Sequence, residues 1–400
     1  MKTGLTHLYI PGPTNVPEAV RRAMNVPMQD MRAPDFGDLT LDLFTGMKKV
    51  LRTEKGRVMF FPGSGTGAWE AAITNTLNPG DKVLMARYGH FSTLWVEMAQ
   101  RLGLDVEVID IPWGAGAPVR DFSRRLGRDT TDEIKAVFVT HNETATGVTS
   151  NIAAVRQALD ENFHNALLFV DGVSSVGSLE FRMDEWEVDL VVTGSQKGLM
   201  LPAGLGILGV SEKAMEASKT ATMRRAYFNF ADMVAMNADG YFPYTPPTQL
   251  FHGLRESLAL MESEGLDQVI ARHHRLAEGV RRGVAAWGLN LVAEHHTLYS
   301  DTVSAIRVPK DVDAREVIRI AYEDYSTSFG SGLGPLNGKV FRIGHIGDLN
   351  EGMCLTALSI AEIALVRAGV PLQMGKGVGA AQEWFLSAAN TATSYGVAAE

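Results

Sequence analysis

The sequence predicts an α/β fold, with a large domain on a mostly parallel sheet of the seven-stranded type and a smaller α+β domain on its C-terminal side. Three observations lead to this prediction. Short apolar runs alternate with helical stretches between residues 57 and 210, a Tyr- and Pro-rich segment at 240–248 ends that pattern, and a long helical stretch then leads into a short strand, helix, strand unit. Such alternation is typical of a parallel sheet covered by helices on both faces.

The strands predicted for the large sheet are apolar runs of five to seven residues bounded by turn residues. In chain order they are RVMFFP (57–62), KVLMARY (82–88), DVEVIDI (105–111), KAVFVTH (135–141), ALLFVDG (166–172), DLVVTGS (189–195) and LGILGV (205–210). Helical patterns such as AWEAAITNTL and FSTLWVEMAQRL separate them. Ligands of sheets of this kind collect at the carboxyl ends of the strands, so we expect a site at that edge.

The chain is predicted to divide into an N-terminal arm (1–20), a large domain (21–265) and a small C-terminal domain (266–400). In the small domain, the runs at 303–308 and 339–344 are predicted strands that flank a helix. A chain of 400 residues with 46% hydrophobic positions can bury two such cores.

Composition excludes several classes of function. The formal net charge of −9 gives no basic surface for nucleic acid, and no apolar run approaches the roughly 20 residues of a membrane span. The single cysteine, Cys354, excludes an internal disulfide framework, and no His, Asp or Glu cluster has metal-ligand spacing. We therefore expect a cytoplasmic protein that binds small molecules, without a metal, a membrane or nucleic acid as partner.

A glycine-rich turn joins the first large-sheet strand to a helix in FFPGSGTGAWEAA (60–72). The N–H groups of Gly65 and Thr66 at the helix start, together with the Ser64 and Thr66 hydroxyls, suit a phosphate group. A glycine turn without a ligand is one alternative. A dinucleotide site is another, since Gly63, Gly65 and Ala68 match its spacing, but the next strand ends in Arg87 and Tyr88 and offers no acidic partner for a ribose.

Two further strands end in charged residues. Asp171 ends the run ALLFVD, where it is placed either to pair with a protonated pyridine nitrogen or to cap a turn. Lys197 follows the run DLVVTGSQ, where a lysine is either solvated or a functional amine. The combination of a phosphate-binding turn, a carboxylate and an amine at strand ends of one sheet favours the functional alternative.

Two more segments extend the predicted site. Thr144 lies near another strand end in THNETATGV, within reach of a bound ligand, and Arg342 lies in the small-domain segment KVFRIGHIGD. A planar guanidinium suits bidentate binding of a carboxylate, although an arginine on a surface strand is commonly solvated.

With these residues in view, the sequence resembles the serine–glyoxylate aminotransferase group of class V aminotransferases, which includes the similar aspartate–glyoxylate enzymes. The resemblance runs over nearly the whole chain and is carried by the following segments: LYIPGPTNVP, FPGSGTGAWE, HNETATGVTSNI, LLFVDGVSS, TGSQKGLMLPAGLG, YTPP and GKVFRIGH. It implies a fold-type-I homodimer with active sites shared between subunits and with pyridoxal 5′-phosphate as the cofactor.

By this resemblance, Lys197 binds the cofactor as a Schiff base, Asp171 pairs with its pyridine nitrogen and Arg342 binds the substrate α-carboxylate. The other implied cofactor contacts are Ser64, Gly65, Thr66 and Gln196 at the phosphate, Thr144 by a hydrogen bond, Tyr88 by stacking, Val173 beneath the ring, and Tyr244 and Thr245 from the neighbouring subunit.

The resemblance implies transfer of an amino group from L-serine or L-aspartate to glyoxylate, giving glycine and hydroxypyruvate or oxaloacetate. An alanine- or serine–pyruvate-type aminotransferase is the alternative. In the loop that approaches the partner's site, this chain has Met31-Arg32 where relatives have tyrosine or histidine before the arginine. Methionine donates no hydrogen bond, whereas Arg32 is predicted to bind substrate and would favour aspartate by pairing with its side-chain carboxylate.

Two other functions are compatible with such a fold. A cysteine desulfurase needs a nucleophilic thiol near Arg342, but the loop at 328–339 has none and Cys354 lies in a helical, apolar stretch. A non-catalytic cofactor-binding regulator would lack the lysine or carry an added nucleic-acid-binding module, and neither feature is seen.

Overall fold

The computed structural model describes residues 5–396. The strands, in chain order, are β1 (His7–Tyr9), β2 (Arg57–Gly63), β3 (Lys82–Arg87), β4 (Asp105–Asp110), β5 (Ile134–Thr140), β6 (Asn142–Glu143), β7 (Val148–Thr149), β8 (Leu167–Asp171), β9 (Leu190–Gly194), β10 (Gly204–Val210), β11 (Asn290–Leu291), β12 (Val303–Arg307), β13 (Thr327–Ser331) and β14 (Val340–Gly344). The helices are α1 (Glu18–Met24), α2 (Pro34–Leu51), α3 (Gly65–Thr76), α4 (His90–Arg101), α5 (Val119–Leu126), α6 (Ile152–Glu161), α7 (Glu212–Ser218), α8 (Phe230–Asn237), α9 (Thr248–Glu264), α10 (Leu266–Ala286), α11 (Ala314–Tyr325), α12 (Glu351–Arg367) and α13 (Lys376–Gly396).

The large sheet has seven strands in the order β2-β10-β9-β8-β5-β3-β4. Strands β9, β8, β5, β3 and β4 pair in parallel, and β10 pairs antiparallel with both β9 and β2. All residues of β8 and β9 are buried, as expected of strands covered by helices on both faces. The predicted α/β fold with a mostly parallel seven-stranded sheet is confirmed.

Strand direction decides which residues share an edge of this sheet. Because β10 is antiparallel to both of its neighbours, β2 runs in the same direction as the parallel strands. The carboxyl ends of β2, β9, β8 and β5 therefore open at one edge, where the turn at Ser64 and the residues after Gly194, Asp171 and Thr140 come together.

A second sheet of five strands has the order β1-β13-β14-β12-β11. The runs predicted as strands at 303–308 and 339–344 are β12 and β14, and they pair antiparallel. Strand β13 (TSFGS) was not predicted, because its glycine and serine residues have low strand propensity. Its strand conformation comes from pairing with β14 on one side and β1 on the other.

Two clusters of buried side chains correspond to the two sheets. One contains residues from Val20 to Val269, and the other contains Tyr9 and residues from Leu276 to Phe385. Helix α10 contributes to both clusters. The domain limits at residues 20 and 265 stay predictions. Within the part of the chain described by the structure, no helix combines the length and hydropathy needed to cross a membrane.

Candidate active site

The start of helix α3 lies at the edge of the large sheet where the carboxyl ends of β2, β9, β8 and β5 open. Ser64 caps the helix, and its Oγ accepts a hydrogen bond from the Gly67 N–H at 3.3 Å. Ser64 and Thr66 are exposed. A Cβ on Gly65 would lie 2.6 Å from Cγ2 of Val173, so only glycine allows the helix start to approach the turn after β8 this closely. First-turn N–H groups and hydroxyls of this kind suit a phosphate, and the role predicted for them stays a prediction.

Gln196 lies beside this helix start. A Cβ on Gly194 would lie 2.9 Å from Gln196 Oε1 and 3.6 Å from the Gly65 nitrogen. Among the described residues, the Gln196 Oε1 atom is buried and has no hydrogen-bond partner. The sheet edge therefore contains an unsatisfied amide oxygen next to the glycine-rich turn, a feature typical of a position that a ligand completes.

Asp171 ends strand β8 at the same edge. Its Oδ1 accepts a hydrogen bond from the Val173 N–H at 3.0 Å, so the backbone of Val173 orients the carboxylate. Burial raises the pKa of Asp171 to about 7, although the Val173 N–H opposes this shift. A buried carboxylate of this kind is poised to pair with a positive charge.

Lys197 lies in the turn after β9, and its amine donates a hydrogen bond to the Pro11 carbonyl. Burial and the nearby charge of Arg342 lower the pKa of Lys197 to about 8, while Asp171 acts in the opposite sense. The structure thus brings the predicted amine and the predicted carboxylate into one electrostatic environment.

The N-terminal segment around Gly12 covers Lys197. Gly12 has φ of 115°, and a Cβ there would lie within 2.4–2.7 Å of the Lys197 side chain. The Thr14 hydroxyl donates to the Lys197 carbonyl at 3.1 Å. The sequence analysis assigned these residues only to an arm, because a contact across 183 positions has no local signal.

Arg342 reaches this edge from the second sheet. It lies in β14 with 7% of its surface exposed, and it donates to the Ser331 carbonyl at 2.9 Å and to the Thr144 carbonyl at 3.0 Å. The Thr144 hydroxyl is paired with Ser174 Oγ at 2.8 Å. Burial lowers the pKa of Arg342 to about 10, which leaves the guanidinium charged at neutral pH. The site consequently lies between the two sheets.

Glu143 is a fully buried carboxylate at this edge to which the sequence analysis gave no role. Its oxygens accept hydrogen bonds from the N–H groups of Phe91 (3.2 Å), Ser92 (2.9 Å) and Ala145 (3.2 Å). Burial raises its pKa, and the three N–H groups partly offset that shift because they stabilise the anion. Glu143 thereby fixes the start of α4 against the segment that carries Thr144.

The predicted stacking role of Tyr88 is wrong. Its side chain is 1% exposed within the first core cluster, and its hydroxyl donates to the Thr140 carbonyl at 2.7 Å and accepts from the Thr140 N–H at 2.8 Å. A ring enclosed by protein cannot present a face to a ligand. Phe91, three residues later at the start of α4, is only half-buried and lies against Glu143.

The three residues predicted to act across subunits lie in two segments that hydrogen bonds join, and Tyr244 is half-buried and stacks on Tyr227. Arg32 is exposed in the turn before α2. This turn is tied to the start of α9 by hydrogen bonds from Gln249 to Met28 Sδ (2.7 Å) and between His252 and Gln29 (3.0 Å). Tyr244 and Thr245 immediately precede α9, and Thr245 is exposed. Among the described residues, none of the three contacts Lys197, Asp171 or Arg342.

Two further findings concern metal and thiol chemistry. Within residues 5–396, no group of three or more His, Cys, Asp or Glu residues is arranged to hold a metal ion. Cys354 lies in α12 within the second core cluster, and burial raises the pKa of its thiol to about 12. A thiol in this environment stays protonated and is not a nucleophile.

Comparison with known proteins identifies relatives that share this architecture. Residues 42–322 match the family described as aminotransferase class-V. The chain is 60% identical to serine–glyoxylate aminotransferase of Hyphomicrobium methylovorum, over 95% of this chain and 94% of the relative. It is 54% identical to L-aspartate–glyoxylate aminotransferase of Paracoccus denitrificans, over 96% of this chain and 97% of the relative.

A solved aminotransferase structure has the same overall fold as this chain. The fold is similar to the crystal structure of pyridoxamine–pyruvate aminotransferase from Mesorhizobium loti, with a TM-score of 0.90 and 28% identity. That similarity covers 96% of this chain and 98% of the other.

Proposed function

This chain belongs to the class V aminotransferases, and from that premise we propose that it transfers the amino group of L-serine or L-aspartate to glyoxylate, giving glycine and hydroxypyruvate or oxaloacetate. It is a pyridoxal 5′-phosphate-dependent aminotransferase whose substrates are amino acids and 2-oxo acids. The observation that carries the proposal is the meeting of Lys197, Asp171 and Arg342 between the two sheets.

The residues at this edge fit the cofactor. The N–H groups at the start of α3, together with the Ser64 and Thr66 hydroxyls, suit a phosphate dianion. The raised pKa of Asp171 reflects a buried carboxylate without a full positive partner, which a protonated pyridine nitrogen would supply. The lowered pKa of Lys197 favours the uncharged, nucleophilic amine.

We assign the cofactor contacts on this basis. Lys197 would hold the cofactor covalently and Asp171 would pair with the ring nitrogen. Ser64, Gly65, Thr66 and Gln196 would bind the phosphate, Val173 and Thr144 would contact the ring, and the half-buried Phe91 replaces Tyr88 as the candidate for stacking.

Two side chains of this chain would perform the steps at the substrate. Pyridoxal phosphate, when bound, supplies the electron sink that stabilises negative charge at the substrate Cα. Arg342 binds the α-carboxylate through the part of its guanidinium that does not bond Thr144 and Ser331, and so orients the Cα. The Nζ atom of Lys197 removes the Cα proton, since a pKa of about 8 leaves some of the amine unprotonated at neutral pH.

We further propose a homodimer with shared active sites. The exposure of Arg32 and Thr245, together with the hydrogen bonds that tie the segment before α2 to the start of α9, supports this arrangement, since a second subunit could bring both segments to the neighbouring site. In that arrangement, Tyr244 and Thr245 bind the partner's cofactor phosphate. A cytoplasmic location also stays a prediction, and the single, buried cysteine is consistent with it.

Arg32 provides the test of the donor. If it pairs with a side-chain carboxylate across the dimer, Arg32→Ala should lower kcat/KM for aspartate by about tenfold or more, because a charge-assisted pair is lost, and should leave the rate with serine nearly unchanged. The measurement is the initial rate of glycine formation from glyoxylate with each donor, with pyruvate and 2-oxoglutarate as alternative acceptors.

Arg22→Ala is the matched control, since Arg22 is an exposed arginine in α1 that pairs only with Glu18 at the surface. Equal losses for both donors would remove the pairing of Arg32 with aspartate. A purified protein that binds no pyridoxal phosphate, or forms no glycine from glyoxylate with either donor, would overturn the proposed function.

A further inference from the structure

Trp69 carries a buried donor that the described structure leaves unused. It lies in helix α3 with 3% of its surface exposed, and its indole Nε1 has no hydrogen-bond acceptor within normal geometry among the described residues. Leaving a buried N–H unpaired is costly, so its position near a functional group calls for an explanation.

The helix places this indole near the turn that carries Asp171. Gly65, at the start of α3, packs directly against Val173, whose N–H binds the Asp171 carboxylate. Residue 69 is four positions after residue 65 and therefore lies on the same face of the helix, one turn further along.

Aromatic packing gives an independent indication of the same placement. Trp69 stacks on Trp95 (5.4 Å between ring centroids), Trp95 meets Phe138 edge to face (4.9 Å), and Phe138 stacks on Phe169 (4.3 Å). Phe169 precedes Asp171 by two residues in β8, so the two side chains point to the same face of the sheet. The row of rings from Trp69 to Phe169 thus packs on the face to which Asp171 points.

The charges around Asp171 show why a further donor matters. Burial and the neighbouring Glu143 carboxylate raise the pKa of Asp171, whereas the Val173 N–H, the Trp69 indole and Lys197 lower it. The Val173 N–H donates to the carboxylate at 3.0 Å, whereas the indole lowers the pKa of Asp171 from outside normal hydrogen-bond geometry.

We propose that Trp69 is a positioning residue whose indole N–H donates to the Asp171 carboxylate, holding it ionised and directed at the ring nitrogen of the bound cofactor. This inference rests on the proposed pairing of Asp171 with that nitrogen. The donor strengthens the pair without contacting substrate or cofactor, because a carboxylate can accept from several donors at once.

The test uses variants that remove the N–H. Trp69→Phe and Trp69→Leu are compared with Trp95→Phe, which removes a second buried, unpartnered indole N–H from the same stack at a position that does not act on Asp171. We expect both Trp69 variants to bind pyridoxal phosphate about tenfold more weakly, as for loss of a hydrogen bond to a charged group, and Trp95→Phe to stay within about twofold of the unmodified protein. The readouts are absorbance titration of the cofactor-free protein and the ¹⁵N shift of the labelled ring nitrogen, which should move towards the unprotonated value only in the Trp69 variants.

Asp171→Asn separates the two hypotheses. In that background, Trp69→Phe should cause no further loss of affinity, because its effect passes through the carboxylate. A loss that persists there, or Trp69 variants that match Trp95→Phe, would overturn the role of Trp69. If Asp171→Asn by itself changes neither the affinity nor the ¹⁵N shift, the proposed role of Asp171 fails instead.

Discussion

Two regions of this protein bury charged and titratable side chains, with different results. At the edge of the large sheet, Asp171 is buried and Lys197 and Gln196 are half-buried; the two charged groups have strongly shifted pKa values, and the Gln196 Oε1 atom is unpaired among the described residues. In the small domain, the buried Arg281, His273 and His345 and the half-buried Asp301 form a network in which the described groups bond to one another or to the backbone. We interpret incomplete pairing of charged groups at a sheet edge as a feature of a ligand-binding region, and complete pairing as a feature of a region that stabilises the fold.

Removing the Lys197 amine at the edge of the large sheet should give the largest effect. The effect should be on activity and not on stability. We expect Lys197→Ala to lower kcat on the order of 10⁴-fold, because it removes the group that moves the Cα proton. Its midpoint of thermal unfolding should stay close to that of the unmodified protein, since among the described residues the amine donates a single hydrogen bond, to the Pro11 carbonyl. Turnover that persists at the unmodified rate would exclude Lys197 as the catalytic amine.

Breaking the small-domain network should have the opposite effect. Arg281 is 8% exposed and donates to Asp301 at 2.9 Å and to the Ser300 carbonyl at 3.1 Å. Arg281→Met should lower the free energy of unfolding by about 3 kcal/mol, because it leaves a partly buried carboxylate with less compensation. The folded fraction should keep its kcat. Urea unfolding measures the free energy of unfolding, and initial rates measure kcat.

Arg282→Met is the control for this variant. Arg282 is the next residue along α10, but its side chain is half exposed and pairs with Glu278 at the surface. Its loss should cost below about 1 kcal/mol. Equal destabilisation by the two variants would mean that the buried Arg281 contributes no more to the free energy of unfolding than the exposed Arg282.

The smallest expected effect is a pH dependence that originates in the small domain. Burial lowers the pKa of His273 to about 4 and that of His345 to about 3. His273 Nε2 accepts a hydrogen bond from the Gly347 N–H at 2.9 Å. A proton on Nε2 would face that N–H group, and the hydrogen bond would be lost. Because the unfolded state binds these protons first, their stabilising contribution is fully present above about pH 6.5 and is lost as the pH falls towards 4.

We therefore expect each such histidine to reduce the free energy of unfolding by about 1 kcal/mol between pH 7 and pH 5.5. His273→Gln should reduce that loss by the same amount. The measurement is urea unfolding of both proteins at the two pH values. An identical pH dependence would show that His273 is not buried as a neutral ring in solution.

The sequence could identify Lys197, Asp171 and the turn at Ser64 because each follows an apolar run that can only be a buried strand. Strand ends of a parallel sheet share one edge, so position along the chain nearly determined position in space. Tyr88 also follows such a run, but its hydroxyl turns back to Thr140, and nothing local distinguishes a ring that faces the edge from one that packs beneath it.

By itself, then, the sequence determined the α/β fold, the large sheet and the position of Asp171 and Lys197 after strands that share one edge, since these depend on periodicity and turn chemistry within short segments. Only the tertiary structure decided that Pro11 and Gly12 cover Lys197, that Glu143 fixes the start of α4, and that the rings from Trp69 to Phe169 pack in one row. These contacts join residues far apart in the chain, where neither periodicity nor propensity carries information, and they form only when the two sheets and α3 pack together.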